Sequence, residues 1–446
     1  MPSAKQLGLP AIDIAESTRR RITLRLIPYL MFVYFLAYLD RANLGVAKFG
    51  MQTELHFDET VIGLGAGIFF FGYLLLDLPG SLIVEHWSAR KWIARIMLTW
   101  GCVAMLMGFI GMPVFGHASH ETQFYLLRFL LGTAEAGFFP GVIVYLSHWF
   151  RVEDRPRAQA YFIVTQPLAV AIGIPLSQWI LHRAHWFGLA GWRWVFILEG
   201  LAPLLMGFVT LRYLTDNPVQ ARWLAPEQKQ WLTSALLADQ AHKVANRRAR
   251  LTDALRYPQT YLLIVVSFLV ITGNQALIIF MPSITNAMKD MPAAVRSLAA
   301  AAPYVCSACG ILLNGIWTNR TGALRWHTAI PMIATGLSLS LTVLASGHSG
   351  IMIVLLCFAG FTSQSYQPAF WTIPTALLGR SAAAAAVGLI TLGNLGGFAG
   401  PYVFGYLKTL TGHYETGLLL LAACMIAAGL LATRIRLTPI EGAAAR

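Results

Sequence analysis

Four charged residues stand inside long apolar segments of this sequence: Asp40, Arg41, Arg128 and Glu135. An ionised side chain at membrane depth costs several kcal/mol unless it is paired or faces water, so such residues are candidates for function. Two arginines can hold a carboxylate through the planar guanidinium fork, and two buried carboxyl groups can gain and release protons. These residue types predict proton-coupled binding of an organic anion. The alternative is that Asp40 and Arg41 form a fixed ion pair that only joins one helix to its neighbours.

The spacing of these residues predicts how deep they lie. If the first helix runs outward and ends near Ala47, the adjacent acid and base lie six or seven residues below its outer end. If the fourth helix runs inward from about Thr122, Arg128 lies in the same layer, about 10 Å down. Glu135 follows Arg128 by seven residues, about two helical turns. We therefore expect Glu135 on the same face as Arg128, about 10 Å deeper and out of its reach.

The composition indicates an integral membrane protein. The chain has 446 residues, of which 57% are hydrophobic and 12% charged, against about 25% charged in soluble domains. Apolar segments long enough to span a bilayer recur along nearly the whole sequence. The net charge of +13 fits basic cytoplasmic loops better than nucleic-acid binding. Cys306 and Cys309 form a C-x-x-C motif inside an apolar segment, and we interpret them as small residues on one helix face rather than as a metal or redox site.

The hydropathy pattern predicts twelve transmembrane helices, arranged as six helices, a polar linker and six more. The predicted spans are 22–47, 60–84, 91–112, 122–149, 156–182, 192–214, 258–288, 294–318, 326–346, 350–378, 382–408 and 413–434. The corresponding domains are an N-terminal tail (1–21), an N-terminal bundle (22–214), a linker (215–257), a C-terminal bundle (258–434) and a C-terminal tail (435–446). Basic residues concentrate in the loops on one side, so we expect that side, with the linker and both termini, to be cytoplasmic.

Features of the first half recur in the second half in the same order. The loop "SLIVEHWSARK" after span two corresponds to "GIWTNRTGALRWH" after span eight. Pro140 and Pro175 in spans four and five correspond to Pro368 and Pro401 in spans ten and eleven. This pattern predicts an all-α membrane protein built from two six-helix bundles related by an internal repeat. In such proteins the binding site lies near the midplane, between the two halves.

The sequence resembles the major facilitator superfamily and, within it, the anion:cation symporter family of tartrate, phthalate, hydroxyphenylacetate and sugar-acid permeases. Matching blocks include "FLAYLDRANLGVAKFGMQTEL", "LLRFLLGTAEAGFFPGVIVYLSHWF" and "GNLGGFAGPYVFGYLKTLTG". The resemblance implies the major facilitator fold, a monomer in the inner membrane of a bacterium, and import of a small organic anion by alternating access. Protons would be the coupling ion, and no cofactor, metal or catalytic residue is expected.

The resemblance to sugar-acid symporters also implies site residues. The implied substrate contacts are Tyr38, Arg41, Tyr73, Arg128, Gln166, Trp371, Thr372 and Asn394. Asp40 and Glu135 are implied as the proton-coupling pair. The apolar stretches 257–288 and 350–379 contain no charged residue or histidine, so they can offer only neutral groups; Asn274, Gln275 and Gln364 are further substrate-contact candidates. Polar residues of this kind can also serve only to join helices.

The loop between spans two and three looks like the superfamily's G-x-x-x-D-R-x-G-R-R signature. Glu85 stands at the acidic position, and Arg90 and Lys91 supply the basic end. Asn319 and Arg320 belong to the second copy of this loop. The resemblance implies a gating role for these residues on the cytoplasmic side.

The predicted function is therefore proton-coupled import of a carboxylate anion such as a sugar acid, tartrate or an aromatic acid. Two alternatives stay open. An exchanger of phosphate esters would also use paired arginines, and a sensor could bind the anion without moving it. The linker and tails are short for a sensor's output domain. A membrane enzyme is not expected, because the sequence shows no metal cluster, nucleophile with a base, or phosphate loop.

Overall fold

The computed structural model describes residues 14–151, 153–244 and 257–436. Within the helices, the side chains of 77–86, 156–157, 159–160, 240–244, 375 and 378–385 are outside this description. The regular secondary structure of the described residues is helical. The helices before and in the linker are α1 (Ile14–Leu55), α2 (Glu59–His86), α3 (Ala89–Met107), α4 (His120–Glu135), α5 (Phe138–Ser147), α6 (Arg155–Arg183), α7 (Gly191–Tyr213) and α8 (Pro226–Val244).

The second half repeats this pattern of long apolar helices. Its helices are α9 (Pro258–Asn286), α10 (Ala293–Thr321), α11 (Leu324–Leu344), α12 (Ser349–Ser363), α13 (Gln367–Phe370), α14 (Ile373–Ile390), α15 (Gly396–Thr411) and α16 (Tyr414–Ala432). A 3₁₀ turn at Thr391–Leu395 joins α14 to α15. This chain is a multi-pass membrane protein, with 11 helical segments among the described residues long and apolar enough to cross a bilayer. Helix α3 falls outside those 11 because its first two turns carry Arg90, Lys91 and Arg95.

The helices differ from the predicted spans at three places. The fourth span divides into α4 and α5, because Gly137 takes a left-handed conformation with φ of 77°, which glycine adopts without steric cost. The tenth span divides after Ser363, where α12 ends. Helix α14 then runs through positions 379–381, where the sequence predicts a link between spans. Its segment "SAAAAAVG" has high helical propensity, which explains why the helix continues there.

Among the described residues, the two halves touch mainly along three pairs of α-helices: α1 with α9, α2 with α15, and α6 with α10. Glycines allow the closest of these approaches. A Cβ atom at Gly63 would overlap the carbonyl group of Pro401, and one at Gly405 would overlap the carbonyl group of Glu59. Small residues at these positions let the backbones of α2 and α15 meet directly. The side chains of α1 and α2 at this junction, and those of α4, which packs against α2, are therefore candidates for a site near the other half.

Candidate functional site

An ion pair between α1 and α4 lies at the centre of the candidate site. The Nε and Nη2 atoms of Arg41 donate to the same carboxylate oxygen, Oε1 of Glu135, at 3.1 and 2.7 Å. Glu135 is 1% exposed, and the side chain of Arg41 is 13% exposed. The second oxygen of Glu135, Oε2, is buried and has no hydrogen-bond partner among the described residues. The carboxylate thus has one oxygen engaged and one available for a proton.

This ion pair corrects the depth expected from the sequence. Helix α1 continues to Leu55, eight residues beyond the predicted end at Ala47. Arg41 therefore lies 14 residues from that end of α1, and Glu135 lies 15 residues after the start of α4 at His120. Both distances are about 20 Å at 1.5 Å per residue. The prediction that Arg41 lies about 10 Å above Glu135 was wrong, because the outer end of α1 was placed too early.

Aromatic rings surround the guanidinium group of Arg41. Its Cζ atom lies 4.8 Å from the ring centre of Tyr38 and 5.3 Å from that of Tyr73. The rings of Phe69 and Phe70 lie at 5.4 and 5.9 Å. Arginine is attracted to the faces of such rings and keeps its planar fork free for hydrogen bonds. The structure therefore brings Tyr38 and Tyr73, two of the predicted substrate contacts, next to Arg41, together with two phenylalanines that were not predicted.

Arg128 also lies against Phe69. Its side chain is buried, its Nε donates to the carbonyl oxygen of Gly65 at 3.1 Å, and its Cζ lies 4.9 Å from the centre of the Phe69 ring. Within the described part of the chain, Arg128 makes no hydrogen bond or ion pair with Glu135, in agreement with their spacing. The two guanidinium groups thus share one aromatic ring, and an anion held by both would lie beside Phe69.

Asp40 has a different hydrogen-bond partner from that of Arg41. It is 2% exposed, and its Oδ1 accepts a hydrogen bond from Nδ2 of Asn43 at 3.1 Å. Its Oδ2 is buried without a hydrogen-bond partner in the described residues. Asp40 forms no ion pair with Arg41 among the described residues, because the donors of Arg41 are directed to Glu135. The two neighbours in sequence therefore have different hydrogen-bond partners, Asn43 for Asp40 and Glu135 for Arg41, since successive residues of a helix point about 100° apart.

The polar residues predicted in and around the second half are less tightly organised. Nδ2 of Asn274 donates to the carbonyl oxygen of Ser363 at 3.3 Å. The side chains of Gln364 and Asn274 also line a cavity of about 20 Å³ inside the second bundle. Gln166 and Gln275 are half-buried and make no hydrogen bond with the described residues. These neutral amides make no hydrogen bond with Arg41 or Glu135 among the described residues.

The remaining predicted contacts of the second half lie at the helix breaks. Trp371 is 37% exposed and, with exposed Thr372, lies between α13 and α14. Asn394 is half-buried in the 3₁₀ turn before α15. Tyr366, at the break before α13, is buried and packs edge-on against Phe370. The break at Thr391–Leu395 comes next to the arginine site, because Gly397 at the start of α15 packs against the ring of Phe70.

A second cluster of charges joins the halves at the end of the bundle opposite the described N-terminus. Glu59 accepts from Nζ of Lys48 at 2.9 Å and from Nζ of Lys408 at 2.5 Å. Lys48 is fully buried and lies 4.2 Å from the ring centre of Phe280, which stacks on Phe404 at 4.2 Å. Glu59 belongs to the first half, and Lys408 belongs to the second. This cluster links the two halves at that end, and none of its residues was predicted as part of the site.

The predicted gating loop makes contacts within its own half. The backbone N–H of Arg90 and the hydroxyl of Ser88 donate to Asp216 at 3.0 and 2.7 Å, and Nε of Arg90 lies 3.6 Å from the same carboxylate. The backbone N–H of Lys91 donates to the Ser88 hydroxyl. The side chain of Glu85 lies outside the described residues. The basic end of this loop is therefore tied to the segment after α7.

The corresponding loop of the second half is organised by another asparagine. Nδ2 of Asn314 donates to the carbonyl oxygens of Ser365 and His327 at 2.6 and 3.0 Å. Asn319 and Arg320, which the signature suggested, are exposed at the end of α10. Neither side chain makes a hydrogen bond with a residue that the structure describes. Their gating role stays a prediction.

Sequence comparison places this architecture in a family. The family model of the Major Facilitator Superfamily matches residues 30–401. The chain belongs to the Major Facilitator Superfamily. Two relatives match almost the whole chain. A protein of Agrobacterium vitis named "Putative tartrate transporter" is 37% identical over 95% of this chain and 92% of its own length. The quinolone resistance transporter of Acinetobacter baumannii is 35% identical over 96% of this chain and 97% of its own length. A Bacillus subtilis protein named "Probable galactarate/D-glucarate transporter GudP" is 24% identical over 90% of each chain.

Solved structures of the superfamily share the fold. A D-xylose–proton symporter aligns with a TM-score of 0.72 at 13% identity, covering 92% of this chain and 97% of its own. A bacterial homologue of the human lysosomal transporter Spinster, in an inward-facing and occupied conformation, aligns with a TM-score of 0.69 at 14% identity, covering 91% and 94%. Both the predicted fold class and the resemblance to the major facilitator superfamily are thus confirmed.

Proposed function

We propose that this chain imports an organic carboxylate anion together with protons across the inner membrane of a bacterium, with both termini in the cytoplasm. The substrate class is a hydroxyl-bearing dicarboxylate or sugar acid. The relative from Agrobacterium vitis carries tartrate in its name, and the Bacillus subtilis relative carries galactarate and D-glucarate. The quinolone transporter among the relatives shows that near-full-length similarity does not by itself fix the substrate.

The contact between Arg41 and Glu135 is the observation that carries the proposal. While Glu135 is ionised, it holds two N–H groups of Arg41. A proton on the free oxygen Oε2 removes the negative charge and replaces a charge-assisted contact by a weaker neutral one. Arg41 can then turn its donors to a carboxylate of the substrate. Proton binding and anion binding thereby favour each other, which is thermodynamic coupling between two sites.

Asp40 and Arg128 are the other acid and base of the proposed site. A proton on buried Asp40 would remove a negative charge from the helix that carries Arg41, and this would favour binding of an anion. Phe69 lies against both Arg41 and Arg128, which places two cations around one ring. A dicarboxylate could use one guanidinium group at each end. The amides and hydroxyls of the second half would then bind its hydroxyl groups.

Movement of the halves would open the site alternately to each side. The Lys408–Glu59 ion pair and the glycine contacts of α2 with α15 join the halves at one end. Breaking this contact while forming others at the opposite end would expose the arginine site to the other side of the membrane. This is the alternating access expected of a transporter built from two similar halves.

Uptake by the purified protein in liposomes tests the proposal. Tartrate and D-glucarate are offered outside while the lumen is kept about one pH unit more alkaline. We expect accumulation above the external concentration that disappears when the pH gradient is removed. Uptake that requires a phosphate ester inside and ignores the pH gradient would instead support an exchanger. Binding without any uptake would support a sensor, and either result would contradict the proposal.

A further inference from the structure

A large basic pocket lies far along α1 from the arginine site, at the end of the N-terminal bundle nearest the described N-terminus. Its volume is about 600 Å³, and it is bordered by the first part of α1, the start of α3 and the segment that follows α7. Four arginines and two aromatic residues line it: Arg25, Arg90, Arg212, Arg222, Tyr213 and Trp223. The sequence places this end on the cytoplasmic side. The proposed transport cycle uses none of these residues except Arg90, through its predicted gating role.

Arg25 is held rigidly in this pocket. Its Cζ atom lies 4.7 Å from the ring centre of Tyr213 and 4.9 Å from that of Trp223, so the guanidinium group stacks against two rings. The Tyr213 hydroxyl donates to the backbone carbonyl oxygen of Arg25 at 3.0 Å. The guanidinium group makes no ion pair or hydrogen bond with any residue that the structure describes. A fixed, unpaired arginine is preorganised to bind an anion.

The charge of the pocket is not neutralised by its surroundings. Asp216 accepts from the backbone N–H of Arg90 and lies 3.6 Å from its Nε, so this acid balances Arg90. Arg212 and Arg222 are exposed and form no ion pair within the described ranges. Three of the four guanidinium charges are therefore left for a ligand. Arginine forks are well matched to phosphate oxygens.

Unsatisfied polar atoms on the pocket's own residues point the same way. Nε of Arg25, Nε1 of Trp223 and Oγ1 of Thr215 are buried and lack a hydrogen-bond partner among the described residues. Buried donors without partners are uncommon in proteins and call for an explanation. Two of these three atoms are obligate donors, and a hydroxyl can also donate. An anion with several acceptor oxygens would complement such a wall.

The pocket also borders the lipid-facing surface. Phe208, Val209 and Leu211 on the last turns of α7 are 51, 41 and 37% exposed, and Arg212 follows them directly. Exposed apolar side chains leading into a cluster of arginines match a lipid, which has acyl chains attached to a phosphate group. Basic pockets between helix ends on the cytoplasmic side bind the headgroups of anionic lipids in other membrane proteins.

We propose that this pocket binds a phosphate group and that the headgroup of an anionic membrane lipid supplies it. Arg25 and the exposed pair Arg212 and Arg222 hold the phosphate oxygens, and the acyl chains lie along α7. The proposal does not depend on which anion the chain transports, because the pocket shares no residue with the arginine site.

Native mass spectrometry of the purified full-length protein tests this with three additions: phosphatidylglycerol, phosphatidylcholine and inorganic phosphate. The test variant is Arg212→Gln with Arg222→Gln, two exposed residues whose replacement leaves the described packing intact. The matched control is Arg434→Gln with Arg436→Gln, which removes two exposed charges after α16. Size-exclusion profiles and the thermal midpoint without added lipid establish that each variant is folded.

We expect the wild type and the control to retain phosphatidylglycerol in preference to phosphatidylcholine. The test variant should bind phosphatidylglycerol roughly 30-fold more weakly, since each arginine contributes about 1 kcal/mol near an anionic lipid. Equal retention by the test variant and the control would overturn the site. Binding of inorganic phosphate without a preference for phosphatidylglycerol would overturn the lipid as the source of the phosphate.

Discussion

Replacing Arg128 by lysine preserves the positive charge of the candidate site but removes its planar fork. In the structure, Nε of Arg128 donates to the carbonyl oxygen of Gly65 at 3.1 Å, and the guanidinium carbon lies 4.9 Å from the Phe69 ring centre. The two terminal nitrogens have no hydrogen-bond partner among the described residues and can form parallel bonds to one carboxylate. A lysine ammonium group at the same depth would make one such bond and lose the contact with Gly65.

The size of the effect follows from the bond that is lost. Hydrogen bonds to charged groups contribute about 1.5–3 kcal/mol, and 1.4 kcal/mol corresponds to a tenfold change in affinity. Losing one arm of the fork should therefore weaken anion binding by about 10- to 100-fold. The charge is retained, so the electrostatic attraction to the anion and to Asp40 should persist.

Isothermal titration of the purified variant measures this change. The titrant is whichever of tartrate, D-glucarate and an aromatic acid raises the thermal midpoint of the wild type most. The matched control is Arg95→Lys, because Arg95 stacks on Trp92 at 4.0 Å on α3, away from the site; its affinity should stay within about twofold. An Arg128→Lys protein that binds the anion as tightly as this control would refute Arg128 as a ligand.

Two further predictions concern the end contact and the second acid. Lys408→Gln removes the 2.5 Å contact with Glu59 between the halves. Because a partly exposed ion pair contributes about 1 kcal/mol, its loss should shift the equilibrium toward the conformation without this contact about fivefold. In a variant without native cysteines, a cysteine that replaces Phe280 should therefore be labelled by a thiol reagent about five times faster. An unchanged labelling rate would contradict a role of the Lys408–Glu59 contact in closing this end. Asp40→Asn keeps the shape that accepts from Asn43 but cannot take up a proton, so pH-driven accumulation should fall to the level without a gradient. Full accumulation by this variant would exclude Asp40 from coupling.

The sequence predicted the helical architecture well because long apolar spans have few other solutions in a bilayer. It was less reliable where a helix continues past a polar residue. Helix α1 runs on through Lys48 to Leu55, because Lys48 is buried against Glu59 and Phe280 rather than placed in a loop. That misplaced end separated Arg41 from its actual partner.

The aromatic surroundings of the site could have been found in part. Phe69 and Tyr73 are four residues apart on α2, and this spacing puts them on one face of a helix. Which face turns toward Arg41 depends on packing: the backbone of α2 at Phe69 lies against Gly132 of α4, and the ring of Phe70 lies against Gly397 of α15. Such contacts join distant parts of the chain, and hydropathy patterns carry no information about them.

Proton coupling through Glu135 is the central claim, and Glu135→Gln in liposomes tests it most directly. Glutamine keeps the oxygen that accepts from Arg41 but cannot gain or lose a proton. The proposal predicts that this variant exchanges external for internal substrate at a rate comparable to that of the wild type, yet no longer accumulates substrate when a pH gradient is imposed. Accumulation against a gradient at the wild-type rate would contradict the account.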